Sequence, residues 1–386
     1  MARNSLDVHS FFTLLLPPIV IYYTLAALLC LPRTRLLRLA LLPPSLILAY
    51  RAASSLDLSY GNDRLVYLNK GLVLAMTSLC FRAIIWAMSR EPYKRLQAVN
   101  ESASSKTKLF LDASDLAFGL RGIGRNWSRG LHIPQETRPL SSKMAFVSWT
   151  LLSLCVHIPL LDLMHYTVQS FGPNTFGTVK GGSIFDDDLP PITRYARSTF
   201  ISFISGIVVY CAIRVSYDFS TIIGVLVLNQ LPIQWPKVFD SPWKASSLSD
   251  FWAKRWHQLF RHFFIGIGSV PLYCAFGRVG SVLGAFLVSG LLHYVGLFGL
   301  GNGSDIMGMV GFFLLMGCGV LLEALWKKIT GQRVGGWSGR IWTMVWLLGW
   351  SNLLVDAWAR KGLIGALFIP DSQRLPVKLF GPLQTS

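Results

Sequence analysis

Two histidines are the residues best placed to do chemistry. His293 stands in Gly284-Ala-Phe-Leu-Val-Ser-Gly-Leu-Leu-His293-Tyr-Val-Gly, a run with no charged residue. An ionisable group is costly among apolar neighbours in a membrane, so its presence there is a functional candidate. An imidazole that titrates near neutrality can take a proton from an alcohol. The fifteen positions from Arg278 to His293 cover about 22 Å of helix at 1.5 Å per residue. Ser289 lies four residues earlier on the same face. Gly284, Gly290 and Gly296 let neighbouring backbones come close. A structural histidine bonded to a backbone carbonyl accounts for the residue equally well.

His257 lies in Asp250-Phe-Trp-Ala-Lys-Arg-Trp-His257-Gln-Leu-Phe-Arg-His262, where bases and aromatics interleave. As one continuous helix, this stretch puts Trp252, Trp256 and Phe260 on one face. Lys254, His257 and Arg261 fall on another. That pattern predicts an interfacial amphipathic helix capped by Ser249 or Asp250. A plain membrane-surface helix explains it. A functional reading adds that such a helix can present Lys254 and Arg255 to a phosphate-rich ligand such as coenzyme A.

Other polar groups carry weaker signals. His157 and His165 flank Asp162, but a seven-residue gap is not a metal-ligand spacing on one helix. They read as structural or pocket-lining. Glu323 is expected to reach along its helix toward Lys327, its i+4 partner. Asp186, Asp187 and Asp188 suggest a magnesium–diphosphate site, yet no second aspartate-rich motif accompanies them, so a solvated loop is the better reading. The six cysteines all lie in apolar runs and none is in a CxxC, which suits small buried hydrophobes. No metal is expected.

The elements that must hold these residues are membrane spans. Of 386 residues, 52% are apolar and only 14% charged, and mean hydropathy is +0.47. A soluble domain carries about a quarter charged residues. Runs long enough to span occur near 11–31, 36–53, 71–89, 144–165, 198–216, 279–300, 307–325 and 341–358. The expected fold is therefore all-α and polytopic, with about eight transmembrane helices (seven to ten). The first run is followed by Arg33, Arg35 and Arg38 and reads as a retained anchor.

The net charge of +17 lies mostly between spans. The positive-inside rule accounts for it, and no nucleic-acid signature accompanies it. That rule puts 90–143 (a loop with interfacial helices) and 232–262 in the cytosol, and 166–197 in the lumen. Residues 1–386 read as a single transmembrane domain.

Trp235-Pro-x-x-Phe239-Asp-Ser-Pro-x-x-Ala-Ser-Ser-Leu-x-Asp250-Phe-Trp-x-x-Arg255-Trp-His257, followed by Ser289-Gly-Leu-Leu-His293, resembles the wax-synthase-like branch of the membrane-bound O-acyltransferases. Arg121-Gly-Ile-Gly-Arg-Asn-Trp127 looks like the fungal members, among them acetyltransferases of terpenoid natural products. By motif the resemblance covers roughly 115–300, and most strongly 235–300. It implies that His293 is the catalytic histidine and His257 the second polar residue, where the broader family has Asn. It implies that Asp250, Trp252, Lys254, Arg255, Trp256 and Ser289 contact substrate or coenzyme A. Ala253 and Lys254 depart from the family's usual glycine and arginine.

The implied activity is acyl transfer from acyl-CoA, acetyl-CoA first, to a lipophilic alcohol. The implied setting is the endoplasmic reticulum, with no bound cofactor. A long-chain wax-ester synthase is the alternative within that chemistry. A membrane terpene cyclase that recruits Asp162 or Glu323 as its acid, or a transporter, is the alternative outside it. A transporter would show inverted repeats, and the span lengths show no such symmetry.

Overall fold

The computed structural model describes residues 3–96, 105–128 and 130–383. Residues 97–104 and 129, within the loop expected over 90–143, lie outside them. The chain is helical almost throughout; its only paired strands, among the described residues, are the two-residue segments Asn4–Ser5 and Leu56–Asp57. Seven helices are long and apolar enough to cross a membrane among the described residues. An eighth, Gly336–Arg360, has the length and occupies the last expected span.

The residues cluster into two compact units. The first comprises Met1–Leu131 and Leu259–Gly303. It holds α1 (Val8–Leu29), α2 (Arg35–Ser55), α3 (Tyr67–Met88) and α4 (Ser105–Phe118), with the long helical stretch Arg261–Leu300. Its core packs Leu25, Leu29, Ala83, Trp86 and Leu116. Two buried arginines close helix ends there. Arg38 donates to the carbonyls of Trp86 and Ser89 at the end of α3. Arg82 donates to those of Leu116 and Ala117 at the end of α4. A cation on the last carbonyls of a helix satisfies acceptors that lack an intrahelical partner. That explains how two guanidinium groups stay buried in an apolar unit.

The second unit comprises His132–Gln258 and Ser304–Ser386. Here α5 (Lys143–Ser170) and α6 (Pro191–Leu226) pack along each other, and α6 also packs against Gly336–Arg360. Asp162 is buried. Arg374 donates to it at 2.8 Å and the Leu375 amide at 2.9 Å, while Arg374 also donates to Gln169 at 2.9 Å. His165 and Gln169 both bond the Ile364 carbonyl. This network ties the C-terminal segment to α5. Removing one partner of a buried ion pair leaves the other charge uncompensated. Asp162→Ala is expected to cost about 3–5 kcal/mol, read as an earlier melt of the detergent-purified protein. The Asp162→Leu, Arg374→Leu pair removes both charges and is expected to recover much of the loss.

Candidate active site

The stretch Arg261–Leu300 is not one straight span. Gly277 has φ 59° and ψ −143°, outside the helical region. The chain reverses there. On the two sides of the turn, Ser269 Oγ donates to the Ser281 carbonyl at 2.8 Å. A Cβ on Gly268 would stand 2.1 Å from the Gly284 carbonyl oxygen, and one on Gly284 would stand 2.5 Å from that of Gly268. Residues 261–276 and 278–300 are therefore the two arms of an antiparallel hairpin whose backbones touch. Such closeness needs glycine on both sides.

Contacts with α3 set the depth of the arms. The Phe263 ring meets Phe81 at 6.2 Å, and Gly266 faces Ile85. On the return arm, Gly296 faces Leu74 and Gly299 faces the backbone of Lys70. The outgoing arm thus starts near the middle of α3 and runs toward its Met88 end. The return arm runs back along nearly all of it. His293, one turn before Gly296, lies level with the middle of α3. His293 is half-buried, and Ser289, on the same face, is buried. Gly284→Val is expected to wedge the arms apart and lower activity at least about tenfold through misplacement of His293. Gly311→Ala, where an added Cβ meets nothing within 4 Å, serves as the control in the same assay.

The Arg121–Trp127 motif folds onto the base of the outgoing arm. Gly122, at φ 63°, leaves room for the Trp127 ring, which a Cβ would approach to 2.2 Å. Trp127 packs on His262 with centroids 4.4 Å apart, and the Tyr93 hydroxyl lies 3.3 Å from His262 Nε2. Burial pushes the Tyr93 phenol above its ordinary pKa. Sequence reasoning did not single out His262. The available signal was the glycine-spaced motif ending in an aromatic residue.

The other candidate histidine belongs to the second unit. There the expected continuous helix over 250–262 is instead a short helical segment, 248–255, whose last turn is π-helical. Trp256 is extended (φ −74°, ψ 154°), and its amide donates to the Phe251 carbonyl. The Gln258 side chain donates to the carbonyls of Trp252 and Trp256 at 2.9 and 3.0 Å. A side chain thus takes the place of the next helical turn, so Phe260 no longer continues the face of Trp252 and Trp256.

A buried carboxylate fixes the start of this segment. Glu323, in α7 (Met307–Thr330), accepts from the amides of Leu248 (2.5 Å) and Ser249 (3.0 Å), from Ser249 Oγ (2.7 Å) and from Trp342 Nε1 (3.1 Å). It does not extend along its own helix toward Lys327, as expected. An anion on the first free amides of a helix is favourable, and buried donors demand such a partner.

Downstream, Asp250 accepts from Arg255 Nε, and Arg255 donates again to the Asp240 carbonyl at 3.1 Å. His132 Nε2 lies 2.7 Å from Asp240 Oδ2. The Phe239 ring meets Trp256 at 5.0 Å and His257 at 6.0 Å, while Trp252 packs on Phe313. Asp250, Trp252, Arg255, Trp256 and His257 thus form one cluster, in which the charges of Asp250 and Arg255 answer each other. Lys254 is exposed. His293 and Ser289 form the other cluster, in the first unit. Among the described residues no group of three or more His, Cys, Asp or Glu could hold a metal. Asp187 pairs with Arg194 at 3.2 Å and Asp186 with Arg197 at 3.9 Å.

Comparison with known proteins adds a second line of observation. Residues 235–315 match the membrane bound O-acyl transferase family. An acetyltransferase of Calcarisporium arbuscula is 28% identical over 196 residues, which are 46% of this chain and 45% of that protein. An acetyltransferase of Aspergillus terreus is 29% identical over 271 residues, covering 62% of this chain and 86% of that protein. A long-chain-alcohol O-fatty-acyltransferase of Simmondsia chinensis is 32% identical over 105 residues, 25% of this chain and 30% of that protein. The chain thus spans less than half the length of the first and third of these relatives.

Proposed function

We propose that this chain, whose residues 235–315 match the membrane bound O-acyl transferase family, is a member of that family and moves an acyl group from acyl-CoA to the hydroxyl of a lipophilic acceptor. The observation that carries this reading is His293, held at mid-depth on the return arm of a glycine-sealed hairpin. An imidazole there meets an alcohol that reaches it through apolar surroundings.

The reaction then needs few groups. His293 accepts the hydroxyl proton as the oxygen attacks the thioester carbonyl. The tetrahedral intermediate collapses with cleavage of the carbon–sulfur bond, giving the ester. The departing thiolate takes the proton and leaves as free CoA. His257 orients the thioester carbonyl or steadies its developing negative charge. Trp252, Trp256 and the spans exclude the water that would otherwise hydrolyse the thioester. Lys254, exposed beside this cluster, and Arg255 serve the phosphates of the donor.

Acetyl is the proposed acyl group, in keeping with the names of the fungal relatives, and a terpenoid-type alcohol the proposed acceptor. The name of the plant relative supports a long-chain acyl group as the second reading. The membrane of the endoplasmic reticulum is the proposed site of action. The cyclase alternative fits less well, because both acids it would recruit, Asp162 and Glu323, are consumed by buried hydrogen bonds.

The test is to give purified protein labelled acetyl-CoA or palmitoyl-CoA with a panel of lipophilic alcohols, and to follow ester and free thiol together. Ester formation matched by thiol release is the expected result, larger with acetyl-CoA. No thiol release above background with any alcohol overturns the proposal.

A further inference from the structure

A second polar cluster lies inside the spans of the second unit. In α6, Arg214 Nε donates to Asp218 Oδ2 at 2.9 Å and to Ser153 Oγ at 3.3 Å. Ser153, in α5, donates to the same Asp218 oxygen at 2.6 Å. The Asp218 side chain is only 1% exposed, yet its other oxygen, Oδ1, has no partner among the described residues. His157 Nδ1 lies 2.7 Å from the Ser153 carbonyl. A carbonyl only accepts, so Nδ1 carries a proton and Nε2 is the ring nitrogen left to face a ligand.

The two terminal nitrogens of Arg214 are the informative atoms. Only its Nε has protein partners among the described residues. The terminal nitrogens are not among the sealed buried atoms, and the side chain keeps 12% exposure. Ser153 is ten residues in from Lys143, and Arg214 twelve from Leu226. That places the cluster about 15–18 Å from the helix ends. Guanidinium donors that meet no protein acceptor among the described residues at that depth require a counterpart, since lipid offers none. Lys237 lies close enough to feel Arg214 as a like charge; burial first, and Arg214 among its neighbours, lower the Lys237 ammonium below its ordinary value.

The cluster also adjoins the motif. Tyr210 meets the His157 ring at 5.9 Å and the Phe239 ring at 4.6 Å, and Phe239 meets His257.

We propose that Arg214, buttressed by Asp218 and Ser153, is a recognition site for a carboxylate on the acceptor, so that the acceptor is a lipophilic hydroxy acid. The planar end of a guanidinium matches a carboxylate with two parallel hydrogen bonds. Asp218 and Ser153 hold the Nε side of the fork and leave that end open. His157 Nε2 hydrogen-bonds a neighbouring hydroxyl of the same ligand. The assignment rests on the acyl-acceptor reading above, and its depth favours an acceptor dissolved in lipid over the hydrated phosphates of a donor.

Binding without acyl-CoA separates this inference from the catalytic one. The probes are abietic acid and the corresponding alcohol, abietinol, titrated by thermal shift into the full-length protein in detergent, with free CoA as a third arm. The wild type is expected to prefer the acid roughly tenfold or more. Arg214→Lys keeps the charge opposite Asp218 but loses the fork, and is expected to abolish that preference while leaving abietinol binding unchanged. Arg214→Gln is expected to do the same if it elutes as folded protein. Equal binding of acid and alcohol, binding of neither, or a preference that survives Arg214→Lys overturns the assignment. Weakened CoA binding with acid binding intact also overturns it, since the anion is then the donor's phosphate.

Discussion

His293→Ala is expected to lower acyl transfer by about three orders of magnitude, within the range that a positioned general base contributes. The loss should fall on the rate of ester formation at saturating donor, with little change in the KM for acyl-CoA, because the imidazole meets the acceptor hydroxyl and not the donor head. His293 is half-buried on an arm held by glycine contacts several turns away at Gly268 and Gly284. Truncation should therefore leave insertion and melting nearly unchanged. His293→Gln keeps hydrogen bonding without a usable base and is expected to be as inactive as alanine. Activity within tenfold of wild type in either variant removes His293 from the mechanism.

The second large effect is expected far from the motif in sequence. Glu323→Ala strands the amides of Leu248 and Ser249 and the Trp342 indole, all of which the carboxylate satisfies. Each buried donor without a partner costs about 1–3 kcal/mol, so a loss of about 3–5 kcal/mol is expected after partial relaxation. The 248–255 segment then loses its fixed start, and Trp252, Trp256 and His257 move with it. A displacement of about 1 Å at reacting groups costs on the order of a hundredfold in rate. Glu323→Gln keeps one acceptor oxygen and should fall between the two. A Glu323→Ala protein that melts and turns over like wild type would show that the segment holds its place without the carboxylate.

The helices were legible in the sequence because each span advertises itself by composition alone. His293 was legible for the same reason, as a polar residue in a run that penalises it. The role of Glu323 was not: the amides it caps, those of Leu248 and Ser249, lie about 75 positions earlier, and helical spacing pointed instead to Lys327. The break after Arg255 was equally hidden. Trp252, Trp256 and Phe260 keep helical spacing in the sequence, while in the structure Trp256 is extended and Gln258 bonds the carbonyls of Trp252 and Trp256. Gly277 escaped notice because hydropathy is blind to a positive φ, and 261–300 is apolar on both sides of it. Asp162 stood out only as an acid that a cyclase could recruit, because its partner Arg374 lies more than two hundred residues downstream.

The Gly277 reversal also governs how the chain is threaded. By hydropathy the 40-residue stretch Arg261–Leu300 counts as one crossing, and by length it could make two. Its two arms run in opposite directions along α3, so one crossing is expected, by an indirect route. The outgoing arm begins halfway along α3 and exits on the Met88 side, and only the return arm traverses from there to the Lys70 end. The stretch is therefore expected to keep odd parity, with Phe260 leading into it partway along α3 and not at the end of α3. A reporter inserted at Gly277 and another at Gly303 should therefore read opposite faces of the membrane.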